Sequence, residues 1–514
     1  MNKKTPNTNT KQPGGRQLSR IAWCSFLVVA LTPSAGFADF AVADDNGTPV
    51  TATPWLAGVT TNSVYACVDA DSTATATVNY GLTTAYGSSA TTLTTGSSID
   101  QTELYPPDEG ETSALLTYVH NVKLTGLLPN TVYNYQVTHG TSVSANYTFR
   151  TAPEAGKPAR FGFAADTRAD SNGLTTNHNI CAGNLAAMNP KMIIYGGDIA
   201  YGSGYHQWTK DWFGAGVSNQ VALNSSVPFV NAPGNHEGWL RDEDDGGAPH
   251  KNTRAFTESP SGTDGEGGEG YFSFDYGDVH ILVLNNEIDD SPGSAQWAFA
   301  ENDLMNSTAK FKIVASHKPA ISYGSHNSDG SMDAMSTALF DPYGVNFVMA
   351  GHNHYYQHNE RNGIHYMVVG SFGSPLHVPD PTGAFEVYSE STDCFAIFDT
   401  AFSKEGDTLT LRTYRGLDST PLETIVVNAA QPVLIAEDAG GWAYLQSLDA
   451  GLADVDPAVD PIAPALTPDT DFDETWNDRT SFGYHVVDSY DGPDFTIGAT
   501  APFSYGDVGD IEGA

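Results

Sequence analysis

Met192-Ile193-Ile194-Tyr195-Gly196-Gly197-Asp198-Ile199-Ala200-Tyr201 is an apolar run that stops on two glycines and a carboxylate. Four large apolar residues in a row suit a short buried strand, and the glycines behind them end it. The same plan recurs along the chain. Phe161-Gly-Phe-Ala-Ala165 precedes Asp166, Val227-Pro-Phe-Val230 precedes Asn235, Phe311-Lys-Ile-Val-Ala315 precedes His317, and Val345-Asn-Phe-Val-Met349 precedes His352 and His354. Each run is followed by a residue type that binds hard or borderline metal ions. One such residue alone is an ordinary turn or capping group. Ligands of open α/β sheets gather outside the carboxyl ends of the strands, so five such runs together predict a single site.

Outward from these runs, residues 160–427 alternate short apolar strands with helical segments at 180–188 and 296–305, the pattern of a layered α/β domain. The stretch Tyr271-Phe-Ser-Phe-Asp-Tyr-Gly-Asp-Val-His-Ile-Leu-Val-Leu284 reads as a hairpin turning at Gly277-Asp278, which predicts mixed rather than purely parallel sheets. In front, residues 44–152 are rich in Thr, Ser, Val and Tyr in alternating runs, the signature of an all-β sandwich. Within it, Leu124-Thr-Gly-Leu-Leu-Pro-Asn-Thr-Val-Tyr-Asn-Tyr135 resembles the strand-turn-strand corner of fibronectin type III modules, with either Tyr133 or Tyr135 as the corner tyrosine. A chain of 514 residues predicts about three domains. The expected division is a leader at 1–43, the sandwich at 44–152, the α/β domain at 153–430, and an acidic region at 431–514. That last region includes a linker at 454–473 spaced by Pro457, Pro461, Pro464 and Pro468, and beyond residue 476 the start of a further β module.

Lys3, Lys4, Lys11, Arg16 and Arg20 precede an apolar run at residues 21–31, and small residues behind it offer cleavage after Ala38 or Ala43. This is the pattern of an export signal, and the run is short of the ~20 residues needed to span a bilayer. The leader holds five basic side chains and one acidic, so its removal takes the formal net charge from −38 to −42. Such a field repels nucleic acid and anionic membranes, and a phosphorylated small molecule then requires strong local positive charge. Cys24 lies in the leader, which leaves Cys67, Cys181 and Cys394; at most one disulfide can form, and no C-x-x-C pair exists to hold a metal.

The strings Ala165-Asp166-Thr167-Arg168, Gly197-Asp198-Ile199-Ala200-Tyr201, Gly234-Asn235-His236-Glu237, Val314-Ala315-Ser316-His317 and Gly351-His352-Asn353-His354 are more specific than their setting. In this order they resemble the metal-binding blocks of the purple acid phosphatases, within the calcineurin-like metallophosphoesterases. With the sandwich in front and Gly370-Ser-Phe-Gly373 behind, the resemblance covers residues 115–427 or so. It implies a layered α/β/β/α catalytic domain behind a fibronectin type III-like sandwich.

The resemblance implies two metal ions bridged by Asp198. Asp166, Tyr201 and His354 complete one, an iron(III) with Tyr201 as a phenolate. Asn235, His317 and His352 complete the other, a zinc, manganese or iron(II) ion. Two cations about 3.5–4 Å apart can bind both the attacking and the leaving oxygens of an in-line displacement. Glycines before Asp198, Asn235 and His352 are expected to let the backbone turn sharply. His236 and His326 match positions where family histidines face the substrate, and imidazole suits proton transfer to a leaving group. Glu237 reads as structural. Ala165 and Arg168 replace the glycines usual beside Asp166, and Gln357-His358 stand where many relatives have an acidic and a basic residue. Arg168 is either a clamp on a phosphate oxygen or a surface charge.

The function this implies is that of a secreted acid phosphatase, hydrolysing phosphate monoesters by attack of a metal-bound hydroxide. A phosphodiesterase or nucleotide hydrolase on the same site is the alternative. An extracellular binding protein with a relic phosphatase domain would have lost some of the seven candidate ligands.

Overall fold

The computed structural model describes residues 40–43, 49–70, 72–92, 97–100, 116–169, 174–200, 209–238, 270–404, 406–429, 432–437 and 443–447. The expected leader, apart from strand 40–43, lies outside the described residues, as do Tyr201, the linker at 454–473 and the stretch beyond 476.

Strands that are apolar on both faces must be covered on both, and here they are. In Phe311–Ala315, residues Phe311, Ile313 and Ala315 join one buried cluster and Val314 another; Phe347–Ala350 divides in the same way. The first cluster lies between two sheets. Across it Phe347 meets Phe398 edge-on at 5.4 Å between ring centroids, and Phe161 meets Tyr276 at 5.7 Å. The second cluster lies under helix Ala295–Asn306, with Ala300 and Leu304 buried against Leu282 and Val314. On the outside of the other sheet, Leu185 of helix Thr176–Ala187 packs over Gly162. The layers are helix, sheet, sheet, helix, the order that the family resemblance implies.

The seven-stranded sheet runs, in spatial order, Phe272–Tyr276, Val279–Val283, Phe311–Ala315, Phe347–Ala350, Ile364–Val369, Tyr356–Arg361 and Glu386–Glu390. Its central pairs are parallel and its outer pairs antiparallel, and the hairpin expected at Gly277-Asp278 closes with Tyr276 opposite Val279. Arg160–Ala164, Ile193–Tyr195 and Phe229–Asn231 run parallel in the other sheet. All five apolar runs of the sequence are therefore strands, with their carboxyl ends at the same edge.

The N-terminal strands continue that second sheet instead of standing apart from it. Phe229 pairs in parallel with Ala57 of strand Trp55–Ala57, and the Gly58 N–H donates to the Phe229 carbonyl at 3.1 Å. The result is one ten-stranded sheet running from Pro421–Asn428 to Ser97–Asp100. A separate five-stranded sheet, with Val132–His139 bonded to Ala76–Gly81, Ser142–Val143 and Tyr147–Arg150, closes the sandwich. The tyrosine alternative resolves by hydrogen bonding. The Tyr133 hydroxyl accepts the Leu128 N–H at 2.9 Å and closes its own corner. The buried Tyr135 hydroxyl donates to the Ser225 carbonyl at 2.7 Å, on the α/β side.

Pro432–Glu437 and Ala443–Ser447 form an antiparallel pair, a hairpin that the acidic composition of this region did not suggest. Cys67, Cys181 and Cys394 are buried, and no disulfide joins them to one another. Among the described residues no helix is long and apolar enough to cross a membrane.

Candidate metal centre

Three of the residues beyond the strand ends have backbones that few residue types adopt: φ is 57° at Asp166, 50° at Asp198 and 68° at His352. The left-handed region costs a non-glycine residue on the order of 1–3 kcal/mol, and such strain gathers where side chains must be aimed. The glycines beside them act in two ways. Gly197, at φ 82°, turns the chain. Gly234 and Gly351 are outside that region, and what they supply is space: a Cβ on Gly234 would collide with the Asp198 carboxylate, and one on Gly351 with that of Asp166.

Six of the seven residues expected to bind metal come together; the seventh, Tyr201, is outside the described residues. His317 Nε2 lies 3.3 Å from Asp198 Oδ1, 3.0 Å from Asn235 Oδ1 and 3.2 Å from His352 Nδ1. His354 Nε2 lies 3.2 Å from Asp166 Oδ1. Backbone carbonyls fix two of the rings. His317 Nδ1 donates to the Gly196 carbonyl at 2.8 Å and His354 Nδ1 to that of Pro375 at 2.6 Å, so each Nε2 points inward. Asp166, His317 and His354 are almost wholly buried. Among the described residues Asp166 Oδ1 has no hydrogen-bond partner.

Electrostatics leave this cluster short of positive charge. Burial, then the charge of Asp198, pushes the Asp166 carboxyl well above its ordinary range. Burial pushes Asp198 the same way, but His317, His236 and Arg168 outweigh it and hold that carboxyl low. Burial lowers His352 to about 2 and His354 to about 4, so both rings stay neutral. Buried carboxylate oxygens and neutral imidazole nitrogens that face one another are all acceptors. A pair of cations fits such a donor set, and no side chain here supplies the equivalent charge.

Glu237 holds the frame. Completely buried, its Oε1 accepts the N–H of Ile199 at 2.6 Å and of Ala200 at 3.3 Å, and its Oε2 that of Asp198 at 3.0 Å and of Gly234 at 2.7 Å. Burial and the charge of Asp198 push its carboxyl up to about 8 against these donors. The structural role read from the sequence is thus a clasp between two loops. His236 donates its backbone N–H to Asp198 Oδ1 at 2.9 Å, and its Nε2 lies 3.7 Å from Asp198 Oδ2. Arg168 is not a surface charge. Its side chain is 12% exposed, with Nε 3.9 Å from Asp198 Oδ2.

His326 sits on the solvent side, its ring 4.4 Å from that of His352. Asn353 fixes it, accepting the His326 N–H at 2.9 Å and donating to its carbonyl at 3.1 Å. His377 was not foreseen. Its ring stacks on His354 at 4.1 Å and 10°, and its Nδ1 accepts the His354 N–H at 3.2 Å. Burial, then His354, lowers it to about 4. It follows no apolar strand run; only its nearness to Gly370-Ser-Phe-Gly373 marked it in the sequence.

The chain is similar to known proteins. Residues 159–356 match the model of the calcineurin-like phosphoesterases, and residues 57–151 that of the purple acid phosphatase N-terminal domain. Purple acid phosphatase 15 of Arabidopsis thaliana is 26% identical over 348 residues, covering 56% of this chain and 62% of that relative. Fe(3+)-Zn(2+) purple acid phosphatase 12 of the same plant is 26% identical over 274 residues, covering 50% of this chain and 56% of that relative. The match to these curated relatives thus spans less than two thirds of their length. Among solved structures, a purple acid phosphatase from yellow lupin seeds aligns with a TM-score of 0.61 at 20% identity, covering 73% of this chain and 74% of that one, and shares its fold. The two matched domains follow one another in one chain, and the chain carries a calcineurin-like phosphoesterase domain behind a purple acid phosphatase N-terminal domain.

Proposed function

We propose that this chain is an exported hydrolase of phosphate monoesters that works with two cations, an iron(III) and a divalent partner of zinc, manganese or iron(II). The observation that carries the reading is the meeting of His317, Asn235 and His352 on one side of Asp198 while Asp166 and His354 face each other, every group offering lone pairs. Asp198 would bridge; Asp166, His354 and Tyr201 would hold the iron, and Asn235, His317 and His352 its partner. Similarity to a relative named for Fe(3+) and Zn(2+) supports that pair. Bound there, the cations would supply the charge that activates water and steadies both oxygens of an in-line displacement.

The chain's own residues do the rest. Arg168, largely but not wholly buried beside Asp198, offers its guanidinium to a non-bridging phosphate oxygen. His236 Nε2, held near Asp198 by the His236 backbone bond, can carry the proton that the leaving oxygen requires, and His326 stands over His352 on the open side to receive the rest of the substrate. The net charge of −38 makes the local cations all the more necessary for a phosphate. The basic and apolar pattern of residues 1–43 supports export. The corner closed by Tyr133 supports a fibronectin type III-like sandwich in front.

Turnover of nitrophenyl phosphate and of its bis-ester by the purified protein tests the reading. The monoester is expected to react faster, and the protein to be violet. No turnover of either, with the metal content complete, would remove the assignment. A colourless, active protein holding two zinc ions would remove the iron alone.

A further inference from the structure

His358, where the sequence departs from the family pattern, belongs to a second cluster that shares no residue with the Asp198 centre. His358 lies on strand Tyr356–Arg361 and His365 on the adjacent strand Ile364–Val369. Glu360 sits directly opposite His365, and His358 two residues before Glu360, so alternation turns all three side chains to one face. Their donor atoms lie within 4.8 Å of one another. His358 Nε2 is 3.0 Å from His365 Nδ1, and Glu360 Oε2 is 4.0 Å from the same nitrogen. A tetrahedral zinc ion with bonds of about 2.0–2.1 Å separates its ligands by roughly 3.3–3.4 Å.

The surroundings are those of a metal-binding histidine. Glu423 reaches His358 Nδ1 at 3.4 Å and is itself held by the Tyr356 hydroxyl, which donates to its Oε2 at 2.7 Å. A carboxylate on Nδ1 keeps the proton there and turns the Nε2 lone pair outward. Phe347 stacks on the His365 ring at 5.2 Å and 27°, fixing its plane. Burial, then His358, lowers the His365 imidazole, which favours the neutral form that ligation needs. His358 is buried, whereas the Glu360 side chain is 48% exposed, so the cluster opens to solvent on the Glu360 side.

We propose that His358 Nε2, His365 Nδ1 and a Glu360 carboxylate oxygen form a further cation site, for zinc, with solvent water in the fourth position. Two imidazoles and a carboxylate with one open position are a donor set that zinc favours. The ion clips together the hairpin that directly follows His354, and it replaces the single proton that otherwise lies between two facing ring nitrogens.

The test compares the zinc content of full-length wild type, His365→Ala and Glu360→Gln after equilibration with zinc and dialysis. Wild type is expected to retain one zinc more than His365→Ala, whatever the Asp198 centre holds in both. Glu360→Gln is expected to lose that zinc to a chromogenic chelator with an affinity about tenfold weaker or more. Equal zinc content in folded wild type and His365→Ala overturns the proposal. Should His365→Ala not fold, the exposed Glu360→Gln position decides, and an unchanged competition curve overturns it. Zinc-edge anomalous scattering from crystals soaked in zinc should peak between His358 and His365, and the lack of a peak there would be equally fatal.

Discussion

Glu237 Oε2 accepts the backbone N–H of Asp198 at 3.0 Å, so the carboxylate of one loop sets the backbone that aims the carboxylate of another. With Oε1 on Ile199 and Ala200, and Oε2 also on Gly234, both oxygens of Glu237 are committed. Glu237→Gln would turn an NH2 group toward N–H donors whichever way the amide points. Leaving such buried donors unpaired costs about 1–3 kcal/mol. Above about pH 8, where the Glu237 carboxyl is ionised, thermal unfolding should show a loss of about 2 kcal/mol or more, and metal content should fall with it. A variant with wild-type midpoint and full metal content would show that the clasp is dispensable.

His317→Ala and His352→Ala should each remove the second cation and cost at least about a thousandfold in kcat/KM, since one cation cannot steady both oxygens of the displacement. Metal analysis beside kinetics checks both halves. Undiminished turnover in His352→Ala would mean that the site lies elsewhere.

Tyr135→Phe tests the junction between the sandwich and the α/β layers. The substitution keeps the ring but takes the donor from the buried Ser225 carbonyl, a loss of about 1–2 kcal/mol. Denaturant unfolding should register it, while kcat/KM and metal content stay at wild-type values. A change in catalysis with unchanged stability would contradict a purely structural tie.

His280 gives the stability a pH dependence of known sign. Burial lowers its pKa, but Asp275 on Nδ1 at 2.8 Å and Asp303 on Nε2 at 2.7 Å outweigh burial and raise it to about 9. The folded value lies above the unfolded one of about 6.5, so the stabilisation is full below pH 6.5 and is lost as pH rises through 9. With Asp275 largely exposed, we expect on the order of 2 kcal/mol. The difference in unfolding free energy between wild type and His280→Gln should shrink over that interval; a difference that stays constant from pH 6 to 10 would refute the account.

The strands of the α/β layers were legible because burial on both faces leaves its mark within single runs such as Phe311 to Ala315, and a strand followed by Asp, Asn or His is a local pattern. The candidate metal residues were legible for the same reason, each lying just beyond a strand end. Hydrogen bonding chose between Tyr133 and Tyr135, which the sequence left open, because alternation puts both on one face and only their hydroxyl partners differ.

By itself the sequence determined a layered α/β domain, the hairpin at Gly277-Asp278 and the order of the metal-binding blocks, all consequences of residue type at short spacing, whereas the helix-sheet-sheet-helix order was implied only by the family resemblance. The tertiary structure decided that Phe229 pairs with Ala57 to make one sheet of two expected domains, that Arg168 turns inward to Asp198, that His377 stacks on His354, and that His358 meets His365 and Glu360. These relationships join residues brought together by strand order and loop direction. No local preference encodes them, because backbone pairing at a sheet edge is blind to side-chain type, and a long side chain takes its direction from whatever charge the folded chain sets beside it.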